Sequence, residues 1–169
     1  MTVGQCLSAG DVWLHIQTED DEVLRSECVG RPSSGLAALR AAEVSTTEAG
    51  GGYLCTLAGH PRRCPTSFRG QYWQYWHASS LGSRWAFSSK GADDYRPAPG
   101  SIEGWCYNER EERRCELPTL TADYRPADRV DIDPPPTHST NLWLVGGIAV
   151  VVLGASVILV RRRRDSTTA

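Results

Sequence analysis

Residues 142–160, LWLVGGIAVVVLGASVILV, run for 19 residues without a charged side chain, and RRRR follows at once. A helix of this length covers roughly 28 Å, close to the hydrocarbon thickness of a bilayer. A buried core helix normally keeps a polar face, so the run is read as a membrane span. Gly146, Gly147 and Gly154 are tolerated in lipid. Val151 stands four residues after Gly147, so no GxxxG pairing motif is formed. Arg161, Arg162, Arg163 and Arg164 mark the cytoplasmic side of the span. Residues 1–141 are therefore expected outside the cell membrane, and residues 161–169 form a short basic cytoplasmic tail.

Charge and cysteine usage agree with that topology. The chain carries 18 basic and 20 acidic residues. Setting aside the four arginines and Asp165 leaves 14 basic and 19 acidic residues, a net of −5, before the span. That balance argues against nucleic acid, which needs a basic face. Cys6, Cys28, Cys55, Cys64, Cys106 and Cys115 all lie on the outer side, as disulfides in an oxidising compartment would. An exported domain needs a signal, and MTVGQCLSAG has neither a basic start nor a long apolar run. Either the signal has been removed or the true start lies upstream. The rival topology is a tail-anchored protein with a cytoplasmic domain. It would put four arginines on the far side and six thiols in a reducing space.

Five of the ten prolines, Pro118, Pro126, Pro134, Pro135 and Pro136, fall in residues 116–141. Apolar residues there are sparse, which predicts an extended stalk reaching up to about 75 Å. The folded ectodomain is then residues 3–115, a size at which disulfides help a small core.

Within it, DVWLHIQT alternates, with Val12, Leu14 and Ile16 opposed to Trp13 and His15. Such alternation predicts a strand. After the polar turn EDDE, VLRSECV completes a hairpin. PSSGLAALRAAEV predicts a helix of about ten residues, capped by Ser33 or Ser34 and striped by Leu36, Leu39 and Val44. GGYLCTLAG, QYWQYWHA, SRWAFSS and SIEGWCYN read as further strands, with GHPRRCP and GADDYRPAPG as loops. One helix on one face of a mixed sheet is an α+β plan, and the order suits a β-grasp-like arrangement.

Six cysteines allow 15 connectivities. Neighbouring elements favour Cys6–Cys28 across the first hairpin, Cys55–Cys64 closing a loop, and Cys106–Cys115 tying the last strand to the stalk. No CxxC spacing occurs, which disfavours a zinc cluster.

Ten of the fourteen Phe, Trp and Tyr residues lie between Phe68 and Tyr107. A strand points alternate side chains to opposite faces. Trp73, Tyr75 and His77 share one face, and Tyr72, Gln74 and Trp76 the other. A core on one side of the sheet can take one set. The other is expected to be exposed as a binding row, or covered by a loop such as GADDYRPAPG.

The run Tyr72-Trp73-Gln74-Tyr75-Trp76-His77, then Trp85-Ala86-Phe87-Ser88, Gly91-Ala92 and Pro99-Gly100-Ser101-Ile102-Glu103-Gly104-Trp105, resembles the transcobalamin-like C-terminal domain. It is most similar to actinobacterial, membrane-anchored cell-surface proteins of that type. SSGLAALRAA and the YLC…C loop share the likeness, which covers roughly residues 28–107. The resemblance implies a β-grasp domain and a cobalamin-type ligand. In the carrier proteins of that family this domain covers one side of the corrinoid and a helical domain holds the other. This chain lacks the helical domain, so a partner would have to complete the site. The resemblance further implies association with a vitamin uptake system, and hence a transporter subunit as partner.

Catalytic patterns are missing from the sequence. There is no nucleophile elbow, no P-loop and no paired-histidine metal motif, and the acidic clusters lack an EF-hand pattern. A catalytic role for His77 or Glu103 is not expected. The expectation is a non-catalytic cell-surface protein with no permanent cofactor. It would bind cobalamin as a ligand, with Tyr72, Trp76, His77 and Trp85 as candidate contacts. The alternative is an adhesive or scaffolding module that binds protein or glycan through the aromatic row.

Overall fold

DVWLHIQT and VLRSECV form the expected hairpin in the computed structural model, as β1 (Trp13–Gln17) and β2 (Val23–Cys28). The structure describes residues 1–49, 53–108, 110 and 115–126. The expected span 142–160, the tail 161–169 and the stalk from 127 to 141 lie outside the described residues. Among those described, no helix is long and apolar enough to cross a membrane. In the hairpin Trp13 stands opposite Cys28, and Ile16 opposite Arg25. Thr18 Oγ1 accepts the N–H groups of Asp20 and Glu22 and so holds the turn. Asp21 takes a positive φ there, which Asp tolerates better than most side chains.

Ser34 is the helix cap, accepting the N–H of Ala37 at the start of α2 (Gly35–Ala41). A second helix precedes it, where the sequence reading has only one. In α1 (Val3–Ser8), Thr2 and Gln5 close a capping box, each side chain taking the other's backbone N–H. Those reciprocal bonds satisfy two donors that a helix start leaves open. Val3 and Cys6 are its buried side.

Three more strands join the hairpin: β5 (Tyr72–Ala78), β6 (Ala86–Phe87) and β7 (Ile102–Asn108). The five-stranded order is β2-β1-β7-β5-β6. β1 and β7 run parallel at its centre, and every other pair is antiparallel. A separate two-stranded sheet pairs β3 (Thr46–Ala49) with β4 (Tyr53–Leu57). Five strands thus follow α2 rather than three or four. The fold is mixed α+β, and all the described residues belong to one compact unit.

Both faces of the large sheet are covered, which is why all five residues of β1 are buried. On the first face Leu14, Ile16, Trp73, Tyr75, Trp105 and Tyr107 pack under Leu39 of α2 and Leu57 of β4. Burying a Leu or Ile side chain stabilises by about 2 kcal/mol. On the second face Val3 and Cys6 of α1 cluster with Trp13, Ala78, Ile102 and Leu120. Gln74 and Trp76 of the second aromatic set are thus covered rather than exposed, and by segments other than the GADDYRPAPG loop. The short α1 and a returning C-terminal segment supply the second cover.

That segment also corrects the start of the stalk. Val3 N–H donates to Tyr124 O at 3.2 Å, and Gly4 N–H to Ala122 O at 2.9 Å. Gln17 Nε2 donates to Glu116 O at 2.9 Å. Leu120 is buried, and the Tyr124 ring meets Trp13 and His15 edge-on. Residues 116–126 belong to the folded unit, because Trp13 and its neighbours need cover on that face.

Three disulfides join Cys6 to Cys28, Cys55 to Cys64 and Cys106 to Cys115. They are the three pairs that neighbouring elements favour. Loops of these lengths are worth about 3 kcal/mol each in a chain-entropy account.

The second face is polar as well as aromatic. The Trp13 indole N–H donates to Ser26 Oγ at 3.0 Å. Ser26 then has its O–H left for His15 Nδ1, also at 3.0 Å. His15 Nε2 must carry the ring proton, which it directs at Gln17 Oε1 at 3.2 Å. Burial pushes His15 down to about 4, against the smaller opposing effect of the Gln17 bond.

Candidate functional site

Strand alternation sends Trp73 and Tyr75 of β5, with Trp105 and Tyr107 of β7, to the first face. The four rings pack side by side as a nearly buried floor. Tyr75 stacks on Trp105 with centroids 4.3 Å apart, and Trp73 tilts against Tyr107 at 5.2 Å. Above this floor lies a cleft of about 1010 Å³. Its walls come from four places: the β3–β4 hairpin, Leu36 of α2, the loop around Phe68 and the loop from Ser88 to Asp94. At the outer edge of the sheet Tyr72 and Phe87 also border it.

What marks this cleft is exposure. Tyr53 is 76% exposed, Phe68 76%, Phe87 53% and Tyr72 41%. Leaving four large rings in water on one rim is unfavourable unless they meet a partner. Phe68 and Tyr72 already lean together at 6.4 Å, so part of the rim is preorganised.

Beside the floor sits a closed polar cluster. Glu103 of β7 is fully buried. Its Oε2 accepts the Tyr75 hydroxyl and lies 3.8 Å from His77 Nδ1. Its Oε1 has no hydrogen-bond partner among the described residues. Tyr95 lies flat on His77 and edge-on to Tyr75. Burial, and then the charge of Glu103, push the hydroxyls of Tyr75 and Tyr95 above the usual phenol range. Gly35, at the start of α2, permits the close approach, because a Cβ there would collide with the Tyr75 hydroxyl. His77 and Glu103 do not line the cleft.

The four contacts expected from the sequence are not brought together. Tyr72 borders the cleft. His77 lies mostly covered under Tyr95 of the GADDYRPAPG loop, on the same face as Trp73 and Tyr75. Trp76 points to the second face, buried and edge-on to Phe87. Trp85 covers Gly104 on that same face, and its indole donates to Pro118 O at 3.1 Å. Tyr53, Phe68 and Phe87 are rim residues that sequence reasoning missed. They sit in three separate segments, and only the tertiary fold collects them. Among the described residues no group of three or more His, Cys, Asp or Glu could hold a metal ion.

A family model described as SCO2322-like domain matches residues 65–129. The match takes in Phe68, both large floor strands, the loop carrying Tyr95 and the returning segment. No curated protein matches the chain.

Proposed function

We propose that this is a non-catalytic, membrane-anchored ligand-binding protein of the cell surface, whose site is the aromatic cleft. The observation that carries the reading is a cleft over an aromatic floor, with the exposed rings of Tyr53 and Phe68 at its border and those of Tyr72 and Phe87 at the sheet edge beside it. Flat, largely apolar ligands gain most from such surfaces, through area burial and ring stacking. The hydrophobic run at 142–160 and the arginines after it support the anchor and its orientation.

The sheet order, with parallel central strands and a helix after the first hairpin, supports a β-grasp plan. Together with the resemblance to transcobalamin-like domains, it supports a corrinoid-type ligand handed to a membrane uptake system. The cleft is open along the sheet edge, as half a site would be, and a transporter subunit is the partner proposed to close it.

The test is tryptophan fluorescence of the full chain titrated with cobalamin, with a colour-matched inert absorber as control. Saturable quenching beyond the control, lost in Phe68→Ala and Tyr53→Ala, is the expected result. A flat titration into the high micromolar range overturns the corrinoid ligand. Binding of the same rim to glycans instead would favour the adhesive alternative.

A further inference from the structure

We infer that the cleft selects organic cations, a flat apolar body carrying a delocalised or quaternary positive charge. The inference rests on the reading of the cleft as a ligand site and adds the sign of the charge it accepts. Two kinds of observation converge on it.

One is the rings. Eight Tyr, Trp and Phe residues border a single cleft, and four of them, Tyr53, Phe68, Tyr72 and Phe87, keep ring surface in water. An aromatic face is the negative end of the ring's quadrupole. Cations within about 6 Å of such a face are attracted, most strongly where water is displaced.

The other is the charge on the walls. Glu48 of β3 and Asp93 and Asp94 of the loop after β6 line the cleft, against one lysine, Lys90. The three acids come from two separate elements, so the fold assembles the excess of negative charge. Among the described residues Arg31 pairs with Asp11, and His60 and His77 approach Glu19 and Glu103. None of these contacts involves Glu48, Asp93 or Asp94. All three are exposed, so their pull falls off within about 8 Å at physiological salt. They act on what enters the cleft rather than on the distant surface. The basic residues Arg69 and Arg110 border a separate and smaller depression.

Calorimetric titration of the full chain in lipid nanodiscs, with empty nanodiscs as blank, provides the test. The probes are N-methylquinolinium, the neutral 1-methyl-2-quinolone and the anion 1-naphthoate. The cation is expected to bind at least about fivefold more tightly than the neutral probe. The preference should shrink in high salt. It should vanish in Asp93→Asn/Asp94→Asn and weaken in Glu48→Gln, with the near-UV circular dichroism unchanged. Equal binding of the cation and the neutral probe, or tighter binding of the anion, overturns the inference. So does a cation preference that survives all three neutralisations. Should no probe bind while cobalamin quenching saturates, the charge selection fails and the cleft remains a ligand site. Should neither bind, both readings fail.

Discussion

The Tyr95 ring lies parallel to the imidazole of His77, with centroids 3.7 Å apart and planes 3° apart. This contact closes the loop from Ser88 to Gly100 over the Tyr75–Glu103 hydrogen bond. One wall of the cleft is thereby locked to a buried charge. Loss of the Tyr75 hydroxyl would leave both carboxylate oxygens of Glu103 without a donor among the described residues. Tyr75→Phe is expected to cost about 2 kcal/mol. Urea unfolding would show this as a lower midpoint with an unchanged slope. A loss under about 0.5 kcal/mol would mean that the bond contributes little.

Acid is expected to weaken the fold through His15. Its folded pKa of about 4 lies below the 6.5 of an exposed histidine. As pH falls through 6.5, the unfolded chain takes up a proton that the folded chain refuses. Stability therefore declines between pH 6.5 and about 4 and levels off below, by about 3 kcal/mol in all. Comparing the pH dependence of unfolding for the parent and His15→Gln isolates this contribution, since carboxylates titrate in both. Identical slopes in the two proteins would remove His15 from the account.

Gly104 should not accept a side chain. A Cβ there would stand 2.5 Å from Leu117 Cδ1 and 2.7 Å from Trp85 Cζ3. Gly104→Ala is expected to cost about 1–3 kcal/mol, as overpacking does. Because Trp85 must move, its fluorescence maximum should shift to the red. A spectrum and midpoint like the parent's would show that the second face has room to yield.

Thiol titration of the oxidised, native protein should find no free cysteine. Removing one bridge, as Cys106→Ala/Cys115→Ala, frees the segment that covers the second face. The amides of Val3 and Gly4, which donate to Tyr124 and Ala122, are then expected to exchange at least about tenfold faster. Unchanged exchange would mean that Leu120 and Tyr124 hold the segment without the bridge.

How much could be read in advance follows from the range of each interaction. β1, β2, β5 and β7 announce themselves through alternation, and α2 through its leucine stripe, because these periods are local. The disulfide pairs were legible because each bridges elements close in sequence, 22 residues apart at most. α1 left only a Thr-x-x-Gln cap as its signal, and six residues are too few for a stripe. β3, TTEA, carries no large apolar side chain and is exposed throughout, so nothing local separates it from a loop. Prolines after Cys115 suggested a free stalk, yet Leu120 and Tyr124 find a partner in Trp13, more than a hundred residues away.

By itself the sequence determined the mixed α+β class, the main strands and their hairpin, and the concentration of rings between Phe68 and Tyr107; it favoured the cysteine pairs that the fold then joined. Only the tertiary structure decided which rings stay in water. Trp76 and Trp85 were covered by Phe87 and Pro118, and His77 by Tyr95. Tyr53 and Phe68 were left in water at the cleft, and Tyr72 and Phe87 at the sheet edge beside it. Exposure is set by what folds over a residue from elsewhere in the chain, and spacing along a strand carries no record of that.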